Sequence, residues 1–293
     1  MQIGISSYSY SRMVASGAME QIEVISKTKE LGFDVLEFSK IKVPEGKTLI
    51  DFAHELREEA DRVNLRIANY TIGADFLNGS NGNLEMEIER VQREVDIAKI
   101  LGAPSMRHDA STGFKPEDPR GKSFDDALPI LVEGCRAVTE YAASLGIRTM
   151  VENHGYFCQD SQRVEKLAAA VAHKNFGILV DMGNFICVDE DPGIAIGRLL
   201  PYMFHVHAKD FHLKPGYMPN PGEGWNVSRG GNFWRGAIIG HGDVPIIQCL
   251  RAIKRANYNG VLSIEFEGME DVLTGARIGQ KNLRDYVQMV YQA

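Results

Sequence analysis

Four short stretches of this chain place ionisable side chains where an apolar run ends. They are TMVENHGYF (149–157), FGILVDMGNF (176–185), MFHVHAKD (203–210) and GVLSIEFEG (260–268). If each run is a β-strand, side-chain alternation puts Glu152 with His154 on one face. It does the same for His205, His207 and Lys209, and for Glu265 with Glu267. A single acidic residue ending an apolar strand, such as Asp181, is commonly a helix N-cap or a surface group. Carboxylates from three strands meeting a histidine from a fourth repel one another unless a cation or a shared proton compensates. Two Glu, one Asp and one His form an oxygen-rich shell with a single nitrogen. Such a shell suits one divalent ion, Mn²⁺ or Mg²⁺ first, with Co²⁺ or Zn²⁺ as alternatives. The chemistry open to it is proton transfer beside a carbonyl. A cation stabilises the charge of an enediolate, while opposed carboxylates take a proton from one face and return one to the other.

These residues need a scaffold that brings four distant strand ends together. Along the whole chain, short β-prone runs alternate with longer stretches of helical periodicity. IGISSYSY is followed by AMEQIEVISKTKELG, DVLEFS by TLIDFAHELREEADRV, and LRIANYTI by LEMEIERVQREVDIAKILG. Counting to the C-terminus gives eight strand–helix units without an intervening linker rich in Pro, Gly or Ser. That pattern predicts parallel pairing through crossover helices, and hence a single (β/α)8 TIM barrel domain of the α/β class over residues 1–293. An open doubly wound sheet is the competing arrangement. It calls for a glycine-rich first turn, where this chain has SSYSYSR. In a (β/α)8 barrel the chemistry sits at the C-terminal strand ends. The residues falling there are Tyr8, Glu37, Tyr70, Arg107 to Asp109, Glu152 to His154, Asp181 to Asn184, His205 to Asp210 and Glu265 to Glu267.

Composition narrows the partners. A formal net charge of −7 argues against nucleic acid, whose phosphates require a positive face. No apolar stretch approaches the roughly 18 residues of a membrane-spanning helix. The chain enters a strand-like run at Gln2 without the pattern of a leader, and its four cysteines lack a CxxC pair. The expectation is a cytoplasmic protein with reduced thiols.

The patches MVENHG, LVDMGN, HVHAKD and LSIEFEG, together with IGISSYSY, GFDVLEF and IGHGDVPI, resemble the xylose-isomerase-like barrels of sugar isomerases, epimerases and inosose dehydratases. The resemblance runs over the whole chain. It implies a metal held by Glu152, Asp181, His207 and Glu265, with Glu152 and Glu265 also serving as the catalytic acid/base pair. It implies a small carbohydrate substrate and the possibility of a homo-oligomer, a dimer or tetramer. His205 falls one strand repeat deeper than His207, about 7 Å, and is expected as a hydrogen-bonded core residue. Three positions depart from the ketose 3-epimerase pattern. Asn184 stands where those enzymes carry His, Leu213 where they carry Arg, and His241 where many relatives carry Glu. The resemblance therefore implies the general metal-dependent chemistry, with a keto-inositol dehydratase as the alternative to an isomerase or epimerase. HVHAKD looks closer to the dehydratase and hydroxypyruvate-isomerase branches.

Substrate contacts are expected from Arg107, His154, Asn184 and Lys209 at the strand ends. Residues 210–243 form a loop far longer than ordinary βα connections. It holds both tryptophans, and Trp225 and Arg229 are expected to bind substrate there, as a lid or substrate wall, or else to form an oligomer contact. Asp210 is expected to tie this loop down. Three other classes fit less well. A DNA-repair endonuclease on the same barrel needs further metal-binding histidines, which ANYTIGADF and Asn184 do not supply. An amidohydrolase carries its HxH pair on the first strand, whereas here it lies on the seventh. A non-catalytic sugar-binding barrel has no need of the intact Glu, Asp, His, Glu set.

Overall fold

In a computed structural model describing residues 1–115 and 121–292, eight parallel strands close into a barrel. The first seven are β1 (Gln2–Ser6), β2 (Val35–Ser39), β3 (Arg66–Ile72), β4 (Ser105–His108), β5 (Arg148–Glu152), β6 (Phe176–Asp181) and β7 (Met203–Ala208). An insert follows with β8 (Asp210–Lys214), β9 (Asn226–Val227) and β10 (Phe233–Ala237), and then the last barrel strand, β11 (Val261–Ile264). Closure is made by β1, whose Ile5 pairs with Ile264 of β11 on one side and with Leu36 of β2 on the other. The expected (β/α)8 architecture is the observed one.

Helices cover the outside because their apolar residues recur at helical spacing. In Leu84–Leu101 the buried side chains include Val91, Val95 and Ala98. Asn83 caps the start, and Gly102, in the left-handed conformation, ends it. Helix Phe124–Ser144 opens on a capping box between Ser123 and Asp126. The first unit differs from the sequence reading. The chain forms a helix over Ser11–Ser16, stops at Gly17 with φ 77°, and resumes only over Glu23–Glu30. The barrel therefore has an additional helical turn beside its mouth after β1. No helix among the described residues is long and apolar enough to cross a membrane.

Two register shifts matter to the site. One falls between Leu36 and Glu37 in the β2–β3 pairing, the other between Ile178 and Leu179 in β6–β7. Beyond the second shift, Asp181 pairs directly with His207. Such irregularities re-aim side chains, and here they precede three residues that point into the barrel.

The stretch 210–243 is a structured insert. Its strands form an antiparallel sheet in the order β8–β10–β9. The middle strand lies against the segment that leaves β11, with Gly236 bridged to Gly268. A Cβ on Gly236 would stand 2.3 Å from the Glu267 carbonyl oxygen, so glycine permits this approach. The buried Asp210 carboxylate anchors the other end, accepting from the backbone N–H of Phe211 (2.9 Å), Gly240 (2.8 Å), Gly242 (3.0 Å) and Val244 (3.1 Å).

Candidate active site at the barrel mouth

The four sequence-predicted ligands converge at the C-terminal end of the barrel. One ligand-type atom from each of Glu152, Asp181, His207 and Glu265 lies within 4.8 Å of the other three. Each is fixed by its own strand end. Glu152 closes β5, where Arg107 Nε of neighbouring β4 lies 2.7 Å from its Oε2. Asn184 Nδ2 donates to its Oε1 at 3.0 Å. Burial pushes the Glu152 carboxyl up, but the Arg107 guanidinium and His207 outweigh this and hold it below the ordinary range.

Asp181 closes β6. Its Oδ1 accepts from the backbone N–H of Gly183 (2.8 Å) and Asn184 (2.9 Å), which fold the turn after the strand. Its Oδ2 is buried and makes no hydrogen bond among the described residues. His207 projects from β7, with Nε2 hydrogen-bonded to Glu37 Oε1 at 2.7 Å. Its Nδ1 is likewise buried without a hydrogen bond among the described residues. It lies 3.5 Å from Glu152 Oε1 and 3.7 Å from both Asp181 Oδ2 and Glu265 Oε2. Burial pulls the His207 pKa down, but Glu37, Glu265 and Glu152 overcome that and hold it well above the ordinary imidazole value. A buried nitrogen without a hydrogen bond, facing three carboxylates, fits the donor set of a single divalent ion.

Lys209, just beyond β7, brings the compensating charge. Its Nζ lies 2.6 Å from Glu265 Oε2, 2.9 Å from Glu267 Oε1 and 3.2 Å from Asp181 Oδ2. It also donates to Asn184 Oδ1 at 3.2 Å. Burial lowers its pKa, yet Asp181, Glu265 and Glu267 hold the ammonium well above its usual value. The two glutamates after β11 diverge. Glu265 ends below the ordinary range, because Lys209 and His207 outweigh burial. Glu267 ends above it, because burial and the Glu265 charge outweigh Lys209.

Over these groups opens a cleft of about 690 Å³, lined by Tyr8, Ser39, Thr71, Arg107, Asp109 and His154 among others. Arg107 reaches Glu152 from it, and Thr71 reaches Glu37 with a 3.0 Å hydrogen bond, so the cleft borders the cluster through these two residues. His154 stands half exposed at the rim, its Nδ1 2.9 Å from Asp109 Oδ1. Asp109 is in turn 2.8 Å from Arg107 Nη2 and is pulled down to about 2, with Arg107 and the His154 contact overriding burial. Another cavity, of about 590 Å³, lies outside the barrel between the insert and helix Pro192–Leu199. It contains none of these groups.

Arg107, His154, Asn184 and Lys209 are thus gathered at the mouth. Two expected substrate contacts are not. Arg229 Nη1 pairs with Asp160 Oδ2 at 3.2 Å, and Nη2 donates to the Tyr156 carbonyl, so this side chain clips the insert to the loop after β5. Trp225 packs beneath the cations of Lys214 and Arg235, with ring distances of 5.7 and 5.6 Å, on the insert sheet. Tyr70, at the end of β3, points outward and donates to Glu94 at 2.8 Å. Three residues that the strand-end rule names without a specific role, Tyr8, Glu37 and Asp109, also enter the site, as does Thr71, which it does not name. Glu37 and Thr71 lie below the ligands, and Tyr8 and Asp109 line the cleft. The signal for Glu37 was a carboxylate interrupting the apolar strand VLEFS.

This arrangement defines a class: a parallel barrel with a buried acidic cluster and a single histidine at its C-terminal mouth. A family model described as a xylose isomerase-like TIM barrel matches residues 25–286, and the chain belongs to that family. The uncharacterized protein MJ1311 of Methanocaldococcus jannaschii is 23% identical over 314 residues, spanning 99% of this chain and 90% of that protein. Among solved structures, the 3-keto-D-glucoside 4-epimerase YcjR from E. coli superposes with a TM-score of 0.72 at 17% identity, over 97% of this chain and 99% of its own. The probable 3-DHS dehydratase AsbF from Bacillus anthracis gives 0.70 at 16%, over 97% and 98%. At these identities the likeness is one of fold.

Proposed function

We propose that this protein is a divalent-metal-dependent isomerase or epimerase of a sugar or sugar derivative, working by proton transfer beside a carbonyl. The observation carrying this reading is the buried His207 Nδ1, which makes no hydrogen bond among the described residues, gathered with ligand-type oxygens of Glu152, Asp181 and Glu265 within 4.8 Å of one another. Held by Glu152, Asp181, His207 and Glu265, a divalent ion supplies Lewis-acid stabilisation of negative charge building on substrate oxygen. The chain's own groups do the rest. Glu152, kept ionised by Arg107 and Asn184, is the base that removes the proton next to the carbonyl. Glu265 is the second acid/base, returning a proton from the opposite side, and Lys209 Nζ, 2.6 Å away, balances its charge once that proton has left. His154, steadied by Asp109, is placed at the cleft rim to hold a substrate hydroxyl.

One observation favours a second reading, a dehydratase of a keto-inositol or related compound. Such an enzyme shares the proton abstraction and then expels a hydroxyl as water. Glu267, whose pKa burial and Glu265 raise, is placed beside Lys209 to protonate that leaving group. The experiment is incubation of the Mn²⁺-supplemented protein with ketoses, inososes and hydroxypyruvate in deuterated water, followed by NMR. Deuterium entering next to the carbonyl without net water loss supports the isomerase or epimerase, whereas net water loss supports the dehydratase. Glu152→Gln and Glu265→Gln should abolish exchange in a folded protein. Near-normal exchange in either variant overturns the acid/base assignment.

A further inference from the structure

Below the ligand cluster the barrel interior holds a second group of ligand-type side chains, Glu37, His205 and His207, all nearly inaccessible to solvent. Their spacing distinguishes a hydrogen-bonded clamp from a second metal site. His207 Nε2 is 2.7 Å from Glu37 Oε1, and His205 Nε2 is 2.7 Å from Glu37 Oε2. Atoms sharing one ion at roughly 2.1 Å in a tetrahedral shell stand roughly 3.4 Å apart. These contacts are too short for that: the His207 one is a hydrogen bond, and the His205 one is a close ion-pair contact. The remaining polar atoms extend the clamp. Thr71 Oγ1 donates to Glu37 Oε1 at 3.0 Å, Asn69 Nδ2 donates to Thr71 Oγ1 at 3.3 Å, and Ser105 Oγ donates to Asn69 Oδ1 at 2.8 Å. His205 Nε2 also hydrogen-bonds Ser263 Oγ at 3.0 Å.

A carboxylate buried on the floor of a barrel is a poor source of stability, since an apolar side chain of similar volume fills the same space without desolvating a charge. Its position explains its presence. Glu37 can only accept, so the His207 nitrogen facing it must carry the proton. In the neutral imidazole that can ligate an ion, the proton on Nε2 leaves the Nδ1 lone pair directed at the point where Glu152, Asp181 and Glu265 converge. We infer that Glu37 is the positioning residue that fixes the His207 tautomer and makes Nδ1 the ligating nitrogen, with His205 and Thr71 holding the carboxylate in place. This rests on the metal-dependent reading above and adds to it a residue from the far side of the barrel that touches neither ion nor substrate. Partners of this kind are worth 10–100-fold in metal affinity.

The test combines two readouts that a merely structural role would not move together. The first is the side-chain ¹H–¹⁵N NMR spectrum of His207 in Zn²⁺-loaded wild-type protein, which needs no variant. Protonated Nε2 and metal-shifted Nδ1 are expected, and the reverse pattern overturns the inference. The second is Mn²⁺ titration calorimetry on wild type and Glu37→Gln, with folding checked by circular dichroism. Gln keeps the volume but removes one of the two acceptor oxygens, and a 10–100-fold weaker Mn²⁺ affinity is expected. Equal affinity in a folded Glu37→Gln overturns the role of Glu37 while leaving the metal reading intact. A folded wild type that binds neither ion overturns both.

Discussion

Replacing Lys209 by Met removes the positive charge at the centre of three buried ion pairs. The ammonium lies 2.6, 2.9 and 3.2 Å from Glu265, Glu267 and Asp181, and its side chain is only 3% exposed. At an effective dielectric of about 20, each pair gains roughly 5 to 6 kcal/mol of Coulomb energy. Most of that is cancelled by desolvating the ammonium and its partners. Removing one member of a buried pair nevertheless costs about 3–5 kcal/mol, because the partner charges stay buried and unpaired. Here the abandoned carboxylates also repel one another. Lys209→Met should therefore lose about 3–5 kcal/mol of unfolding free energy in the presence of EDTA. Mn²⁺ should restore part of it. An ion at about 100 times its Kd adds roughly 2.7 kcal/mol to any protein that binds it only when folded. The increment should be larger in Lys209→Met than in wild type, since Asp181 and Glu265 no longer share their charge with an ammonium. The assay is urea unfolding of both proteins with EDTA and across an Mn²⁺ series. A loss under about 1 kcal/mol, or the same Mn²⁺ increment in both proteins, refutes the picture of one anionic cluster served by two cations.

Three further outcomes follow from the geometry. His108 is buried against Phe76, its Nδ1 2.8 Å from the Asp109 carbonyl oxygen, and burial pulls its pKa down to about 4. The unfolded chain binds the proton more readily, so this stabilisation is complete above about pH 6.5 and is lost as pH falls toward 4. It amounts to about 3 kcal/mol, and His108→Gln should flatten that part of the stability profile measured between pH 7.5 and 4.5. Asp210→Ala strands four backbone donors of the insert. It should cost about 3 kcal/mol and raise amide exchange at Gly240, Gly242 and Val244 well above that of the barrel strands. Arg229→Ala should leave turnover within a few-fold of wild type, because that side chain clips the insert to Asp160 and the Tyr156 carbonyl. A loss of two orders of magnitude would return it to the substrate site.

The barrel and the convergence of four side chains were legible in the sequence because both are written locally. Four apolar runs end in ionisable residues, and the barrel rule brings Glu152, Asp181, His205 or His207, and Glu265 or Glu267 to one mouth, while the choice of His207 and Glu265 is what the family resemblance implies. What stayed hidden depends on distant pairing. The VLEFS strand shows that Glu37 interrupts an apolar strand. It does not show that the carboxylate meets a histidine 170 residues away. Trp225 and Arg229 have the composition of a binding loop, but composition does not say which side of an insert faces the cleft. Only the β8–β10–β9 order settles that, and it turns Trp225 toward Lys214 and Arg235. Residues 210–243 read as a loop because the segments joining their strands are rich in Gly and Pro, although the buried anchor at Asp210 was already expected.

The central claim is that Glu152, Asp181, His207 and Glu265 together bind the cation on which turnover depends. Mn²⁺ titration of EDTA-stripped wild type and of Asp181→Asn, by calorimetry, addresses it most directly. The account predicts one saturable site per chain in wild type and its loss in a folded Asp181→Asn. No binding to wild type, or unchanged binding in the variant, would contradict it.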